Sequence, residues 1–291
     1  MPDPTSAAVR DAATVLALRE QERGVEVFMV RRDSRLGFLG GAHVFPGGAV
    51  DEGDRSEAAR ELLAGVEEMG AGHRLHEDPA TSCALLLAAV RELFEESGIL
   101  LARDEAGEWV DLQDGSERAR RLRDAREASS HGRGGFVDAV RREGLRLDVS
   151  GLRYFAHWIT PQREKKRFDT RFFLARAPER QLAQHCAVES SEGEWITPSR
   201  ALQRYRDREI ELVPPTIATL ESLAAYTSVE DALGAFLSAP IPRILPKITM
   251  CGETITILYP GDADYPSGEA SEPAGRAVNR LVLRDGLWHR P

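Results

Sequence analysis

The alternation of apolar and polar positions divides the chain into a short series of elements. Residues 14–18 (Thr-Val-Leu-Ala-Leu) and 25–30 (Val-Glu-Val-Phe-Met-Val) flank Glu22-Arg23-Gly24 and predict two strands. A glycine-rich loop from Gly37 to Gly41 leads into His43-Val44-Phe45-Pro46-Gly47-Gly48. The clearest helix spans 83–97: at about 100° per residue Leu86, Val90, Leu93 and Phe94 share one face, and Gly98 stands where a left-handed cap closes a helix. Two polar excursions, about 55–80 and 116–146, interrupt this order, the second with an arginine-dense helical stretch from Glu117 to Glu127 that reads as solvated. Strands follow at 152–160, 168–176, 185–188 and 194–196, and helices at 198–205, 214–226 and 229–238. After Pro240 the chain turns Pro- and Gly-rich with short strands at 248–250, 254–259 and 281–283. A β arm, a lid or a homodimer contact are the roles open to that tail.

Composition narrows the classes. A chain of 291 residues is one elaborated domain or two modest ones, and 38 Lys+Arg against 47 Asp+Glu gives a net charge of −9, a poor footing for a nucleic-acid binder. The longest apolar run, Cys83 to Val90, is far short of the ~20 residues that span a bilayer. Cys83, Cys186 and Cys251 form no C-x-x-C pair, which excludes a disulfide framework and a thiolate zinc site. With no apolar signal segment at Met1 to Arg10 and no peroxisomal tripeptide at the C-terminus, the expected location is cytoplasmic. Only Lys165, Lys166 and Lys247 are lysines, and two of these are neighbours.

The chemistry gathers on the helix. Glu92, Glu95 and Glu96 stand at i, i+3 and i+4, so their carboxylates converge. They occupy the last turn, where the helix dipole disfavours each by ~0.3–1 kcal/mol. A compensating cation is needed, and oxygen-only ligands suit Mg²⁺ or Mn²⁺. The bland alternative is an acidic face paired with Arg91. Upstream, Gly47-Gly48 permits positive φ and close backbone approach.

Together the two segments resemble the Nudix box, G-x5-E-x7-R-E-U-x-E-E-x-G-U with U a bulky aliphatic. Gly48 begins it, Asp54 stands in the first Glu position, and Arg91-Glu92-Leu93-Phe94-Glu95-Glu96-Ser97-Gly98-Ile99 completes it. The seven-residue spacer is replaced by 36 residues, 55 to 90, an insertion of 29. Loop-closure cost grows only logarithmically with length, so such an insertion is tolerable. The long insertion is similar to that of the peroxisomal coenzyme A diphosphatase branch. Trp158-Ile159-Thr160-Pro161, Arg167-Phe168-Asp169-Thr170-Arg171-Phe172-Phe173 and Glu194-Trp195-Ile196-Thr197-Pro198 agree with that branch.

The resemblance implies an α/β/α Nudix sandwich with a mixed sheet, helical insertions and a C-terminal β arm. The Nudix domain would span 14–238 and the tail 239–291. It also implies metal-dependent hydrolysis of a nucleotide diphosphate, with coenzyme A or acyl-CoA leading. ADP-ribose, NADH, nucleoside triphosphates and a silent nucleotide-binding regulator are the alternatives. Glu92, Glu95, Glu96 and the Gly47 carbonyl would hold Mg²⁺ or Mn²⁺, and Arg91 would orient the cluster. Glu95 is the first choice as general base, with Glu164, Glu189, Glu192 and Glu194 as later-loop candidates. Arg163, Lys165, Lys166 and Arg167, a cationic turn between strands, are candidates to receive phosphate. His43 and His157 are assigned structural roles. The partner expected is a small molecule, not nucleic acid or a membrane.

Overall fold

The computed structural model describes residues 8–22, 24–35, 39–67, 75–188, 190–237, 241, 243–252, 254–266 and 278–291. Gly37, Glu189 and Pro240 lie outside the described residues.

In chain order the first half comprises β1 (Val9–Gln21), β2 (Gly24–Arg32), β3 (His43–Val44), β4 (Gly47–Ala49), α1 (Glu57–Arg60), β5 (Leu63–Ala64), α2 (Pro79–Ser97) and β6 (Ala102–Arg103). The inserted helices α3 (Glu117–Ser130) and α4 (Phe136–Arg142) follow, then β7 (Arg146–Asp148), β8 (Arg153–Ile159), β9 (Arg167–Arg176) and β10 (Ser190–Ile196). The remainder is α5 (Pro198–Arg206), α6 (Pro214–Leu223), α7 (Val229–Ala235), β11 (Arg243–Ile244), β12 (Lys247–Cys251), β13 (Thr254–Leu258), β14 (Arg280–Arg284) and β15 (Leu287–His289).

A mixed sheet in the order β10-β2-β1-β9-β8-β11 forms the centre, with β3 on β2 and β4 on β1. β1 and β9 run parallel from Val9↔Arg167 to Leu18↔Arg176, and β11 is parallel to β8. From Ala12 to Leu18, β1 is apolar and buried on nearly every residue, as a strand covered on both faces must be. Odd positions Ala13, Val15 and Ala17 join α2, α3, α4 and the small sheet β5-β7-β6 in one core. Even positions Leu16 and Leu18 join α5, α6, α7 and the C-terminal sheet in another. The architecture is the expected α/β/α sandwich. Among the described residues no helix is long and apolar enough to cross a membrane.

Several elements differ from the sequence reading. α2 starts at Pro79, inside the stretch assigned to the first excursion, because Asp78 caps it by accepting from the Ala80 and Thr81 amides. The helix is buried all round rather than along one stripe, since the inserted helices cover its outer side. Residues 185–188 form no strand. β10 alone of this stretch joins the sheet, on β2, and the preceding segment instead satisfies groups beyond α2: Gln184 N–H donates to Ser97 O (2.7 Å), and the Gln181 side chain serves Leu100 and Val110. The tail is a β element packed on the domain: β11 extends the central sheet, and Ile257, Tyr259 and Leu281 enter the second core.

Candidate active site

The last turn of α2 meets β4 beside β1. Gly98 closes the helix at φ 74° and donates to Phe94 O (2.8 Å). From that turn Glu92, Glu95 and Glu96 reach one wall of a cavity of about 850 Å³, which Gly47, Gly48 and Arg91 also line. Neither Gly47 nor Gly48 has positive φ. Their requirement is space: a Cβ on Gly47 would lie 2.5 Å from Ala13 O, and one on Gly48 would strike the Glu92 carboxylate.

Arg91 is the hub. Its Nε and Nη2 donate to the two Asp54 oxygens (2.9 and 2.8 Å), Nη1 to Glu92 (2.8 Å) and Glu95 (3.1 Å), and Nη2 to Ala49 O (3.1 Å). Asp51 stands 3.7 Å away. Asp54, in the first Glu position, therefore holds the arginine rather than facing the cavity. Burial pushes the Asp54 carboxyl up, and Arg91 opposes that shift. Burial works against Arg91 as well, but its bonds to Asp54 and the charges of Glu92, Asp54 and Glu95 win and raise it, so it stays cationic.

Glu96 is buried and accepts from the Gly47 N–H (3.0 Å). Burial raises Glu95, while Arg91 and Ser129 act the other way; the Ser129 hydroxyl donates to its Oε1. Ser129 belongs to inserted α3, as does Arg126, which donates to Glu95 O (3.0 Å) and Gln184 O (2.5 Å). A guanidinium thus sits on the negative end of α2. The arginine-dense stretch is only partly solvated: Arg121 pairs with Glu143, Arg123 donates to Leu112 O, and Arg126 is half-buried. Composition gave no sign that this insertion touches the helix end.

The cations of the 163–167 turn fall elsewhere. Arg163, Lys165 and Lys166 are exposed and do not line the cavity; Arg167 is buried, with Nε donating to Thr160 O (3.3 Å). The turn contributes Thr160, Pro161 and Glu164 to the wall. The arginines that line the cavity besides Arg91 are Arg10 and Arg32, and Arg32 Nε is buried with no hydrogen-bond partner among the described residues. Glu192 and Glu194 lie in a separate depression, where they pair with Arg31 and Arg204, so neither is placed to act at this cavity. His43 is buried there with both ring nitrogens unpartnered among the described residues, whereas His157 is bonded to Asp169.

Much of the remaining lining is apolar. Phe168 and Phe172 of β9, Trp158 of β8, Val213 to Pro215 at the start of α6, and Pro246, Ile248, Ile257 and Trp288 from the tail form it. Trp158 Nε1 is buried without a partner among the described residues.

Among the described residues no three carboxylate, imidazole or thiol groups stand around one point in ligating geometry; Glu92 and Glu95 turn to Arg91, and Glu96 to Gly47. The donor chemistry nevertheless fits a hard divalent ion: oxygen-only groups, and a double-glycine bend that leaves room at Glu92.

The family model of the NUDT19 Nudix domain matches residues 71–223, more than half of the chain. The chain belongs to the Nudix hydrolase family. The match takes in α2 and the R-E-L-F-E-E-S-G-I half of the box. Acyl-coenzyme A diphosphatase NUDT19 of Gallus gallus is 30% identical, over 91% of this chain and 81% of the relative. The Homo sapiens protein of the same name is 28% identical, over 83% and 72%. The crystal structure of a Nudix hydrolase from Alicyclobacillus acidocaldarius superposes with a TM-score of 0.64 at 30% identity, covering 80% of this chain and 99% of that one. As a Nudix hydrolase the chain acts on pyrophosphate bonds, in a family that works with a divalent metal.

Proposed function

We propose that this Nudix hydrolase cleaves the diphosphate of coenzyme A or an acyl-coenzyme A, adding water to release a nucleotide monophosphate and a phosphopantetheine. The observation that carries this reading is one cavity lined both by the α2 carboxylates and by a large set of apolar side chains. A substrate with a diphosphate at one end and a long, weakly polar arm at the other matches both. The names carried by the Gallus gallus and Homo sapiens relatives point the same way.

Glu92, Glu95, Glu96 and the Gly47 carbonyl would hold the metal, and Mg²⁺ or Mn²⁺ suits oxygen donors. Such an ion, when bound, neutralises phosphate oxygens and acidifies water. Arg91 fixes the carboxylates and Asp54 fixes Arg91. Arg32 and Arg10 face the cavity as phosphate anchors, in place of the exposed 163–166 cations. Glu95 takes the proton of the attacking water; Glu164 is the one later-loop carboxylate among the described candidates that lines the cavity. The free thiols of Cys83 and Cys186 suit the reducing cytoplasm.

The test is incubation with Mg²⁺ or Mn²⁺ and CoA, acyl-CoA, ADP-ribose, NADH or nucleoside triphosphates, with products weighed by mass spectrometry. CoA or its esters should give the highest kcat/KM. Glu96→Gln keeps an acceptor for the Gly47 N–H, so it should fold normally and lose at least about 100-fold in kcat. A preference for ADP-ribose or NADH would refute the substrate, and wild-type rates in Glu96→Gln would refute the site.

A further inference from the structure

The apolar lining does not stop at the cavity mouth. β12 and β13 pair antiparallel with Ile248 opposite Ile257 and Met250 opposite Ile255. Directly opposed residues share a face and alternate ones return to it, so these four side chains form one strip. Ile257 is 6% exposed and lines the cavity; Ile248 also lines it and is 40% exposed; Ile255 and Met250 are 37% and 59% exposed. The strip thus climbs from the floor of the site to open surface over about 7 Å, two residues of strand. Isolated exposed apolar side chains need no explanation, but a contiguous set that begins inside a substrate cavity does.

We propose that the β12–β13 strip is an acyl-chain subsite, with Ile257 and Ile248 receiving the first methylenes beyond the cavity and Met250 and Ile255 the remainder. The assignment rests on the coenzyme A reading above. It explains the tail as a specificity device: the catalytic carboxylates stand on α2, whereas the selecting surface stands on a segment beyond residue 240. Met250, unbranched and adaptable, suits chains of differing length. The strip is open at its outer end, so long chains are taken without an upper limit set by a closed pocket.

The experiment compares full-length wild type with Met250→Glu, Ile255→Glu and Met250→Leu on CoA, octanoyl-CoA and dodecanoyl-CoA. Met250 and Ile255 are exposed, do not line the cavity and can be changed without opening the core. Wild-type kcat/KM should rise with chain length. Half-burying three methylenes on the strip is worth about tenfold, so either Glu variant should lose about that factor on dodecanoyl-CoA while staying within about twofold of wild type on CoA. Met250→Leu should retain the preference. Equal losses on CoA and dodecanoyl-CoA, or no loss on either, would overturn the subsite. So would size-exclusion showing that the strip joins two copies and that the Glu variants lose all activity as monomers. CoA cleavage without chain-length dependence overturns the subsite alone, whereas cleavage of other nucleotides and of no CoA compound removes the substrate reading and the subsite with it.

Discussion

Replacing Asp54 by alanine probes the link between stability and the site. The Asp54 side chain is 1% exposed and that of Arg91 9%, and two charge-assisted bonds join them. Removing one partner of a buried pair typically costs about 3–5 kcal/mol, because the other charge is left without its match. Arg91 would keep Glu92, Glu95 and Ala49 O, which places the loss at the low end, about 3 kcal/mol. At about 2–4 °C per kcal/mol for chains of roughly this size, Tm should fall by roughly 6–12 °C in calorimetry. Asp54→Asn preserves volume but not charge, so it should retain more than half of that loss. A drop below about 1 kcal/mol for Asp54→Ala, or a wild-type Tm for Asp54→Asn, would refute the view that this pair anchors the α2 terminus.

Gly48→Ala should displace the Glu92 carboxylate that its Cβ would strike; we expect at least about tenfold lower kcat with about 1–3 kcal/mol of destabilisation, checked by steady-state kinetics and thermal melts. Asp262 anchors the C-terminal sheet: burial would raise its carboxyl, but the bonds from Arg280 and the amides of Asp264 and Asn279 hold it below the ordinary carboxylate range. A depressed folded-state value means that its stabilisation is full above the unfolded value near 3.9 and lost as pH falls through the folded one. Hydrogen exchange of residues 280–284 should therefore quicken below about pH 4, while Asp262→Asn should quicken it at neutral pH and leave α2 unchanged.

Helix α2 was legible because its information is local: an apolar run, three acids at i, i+3 and i+4, and a terminal glycine. Its start was missed because Asp78-Pro79 reads as a turn until the Asp side chain is seen on the Ala80 and Thr81 amides. Ser129 and Arg126 were illegible for another reason. They lie more than 30 residues from the carboxylate turn, in a stretch whose arginines look solvated, and only tertiary packing brings them to Glu95. Charge density drew attention to 163–167, yet a dense charged turn tends to face water. Arg32, the second of two arginines that end an apolar strand, lines the cavity instead. The signal for it was its position, at a strand end just before the glycine-rich loop that leads toward the box.

β1 finds its parallel partner β9 about 160 residues further along the chain. On a ribosome adding about 5–20 residues per second, that gap lasts roughly 8–32 s. For that interval the nascent chain carries an apolar ribbon, Ala12 to Leu18, paired along one edge by β2 and β4 while the parallel neighbour for its other edge does not yet exist. Fragments ending before Arg176 should accordingly be insoluble or chaperone-bound, and the carboxylate turn of α2, though made early, should gain its final shape only after β9 has emerged.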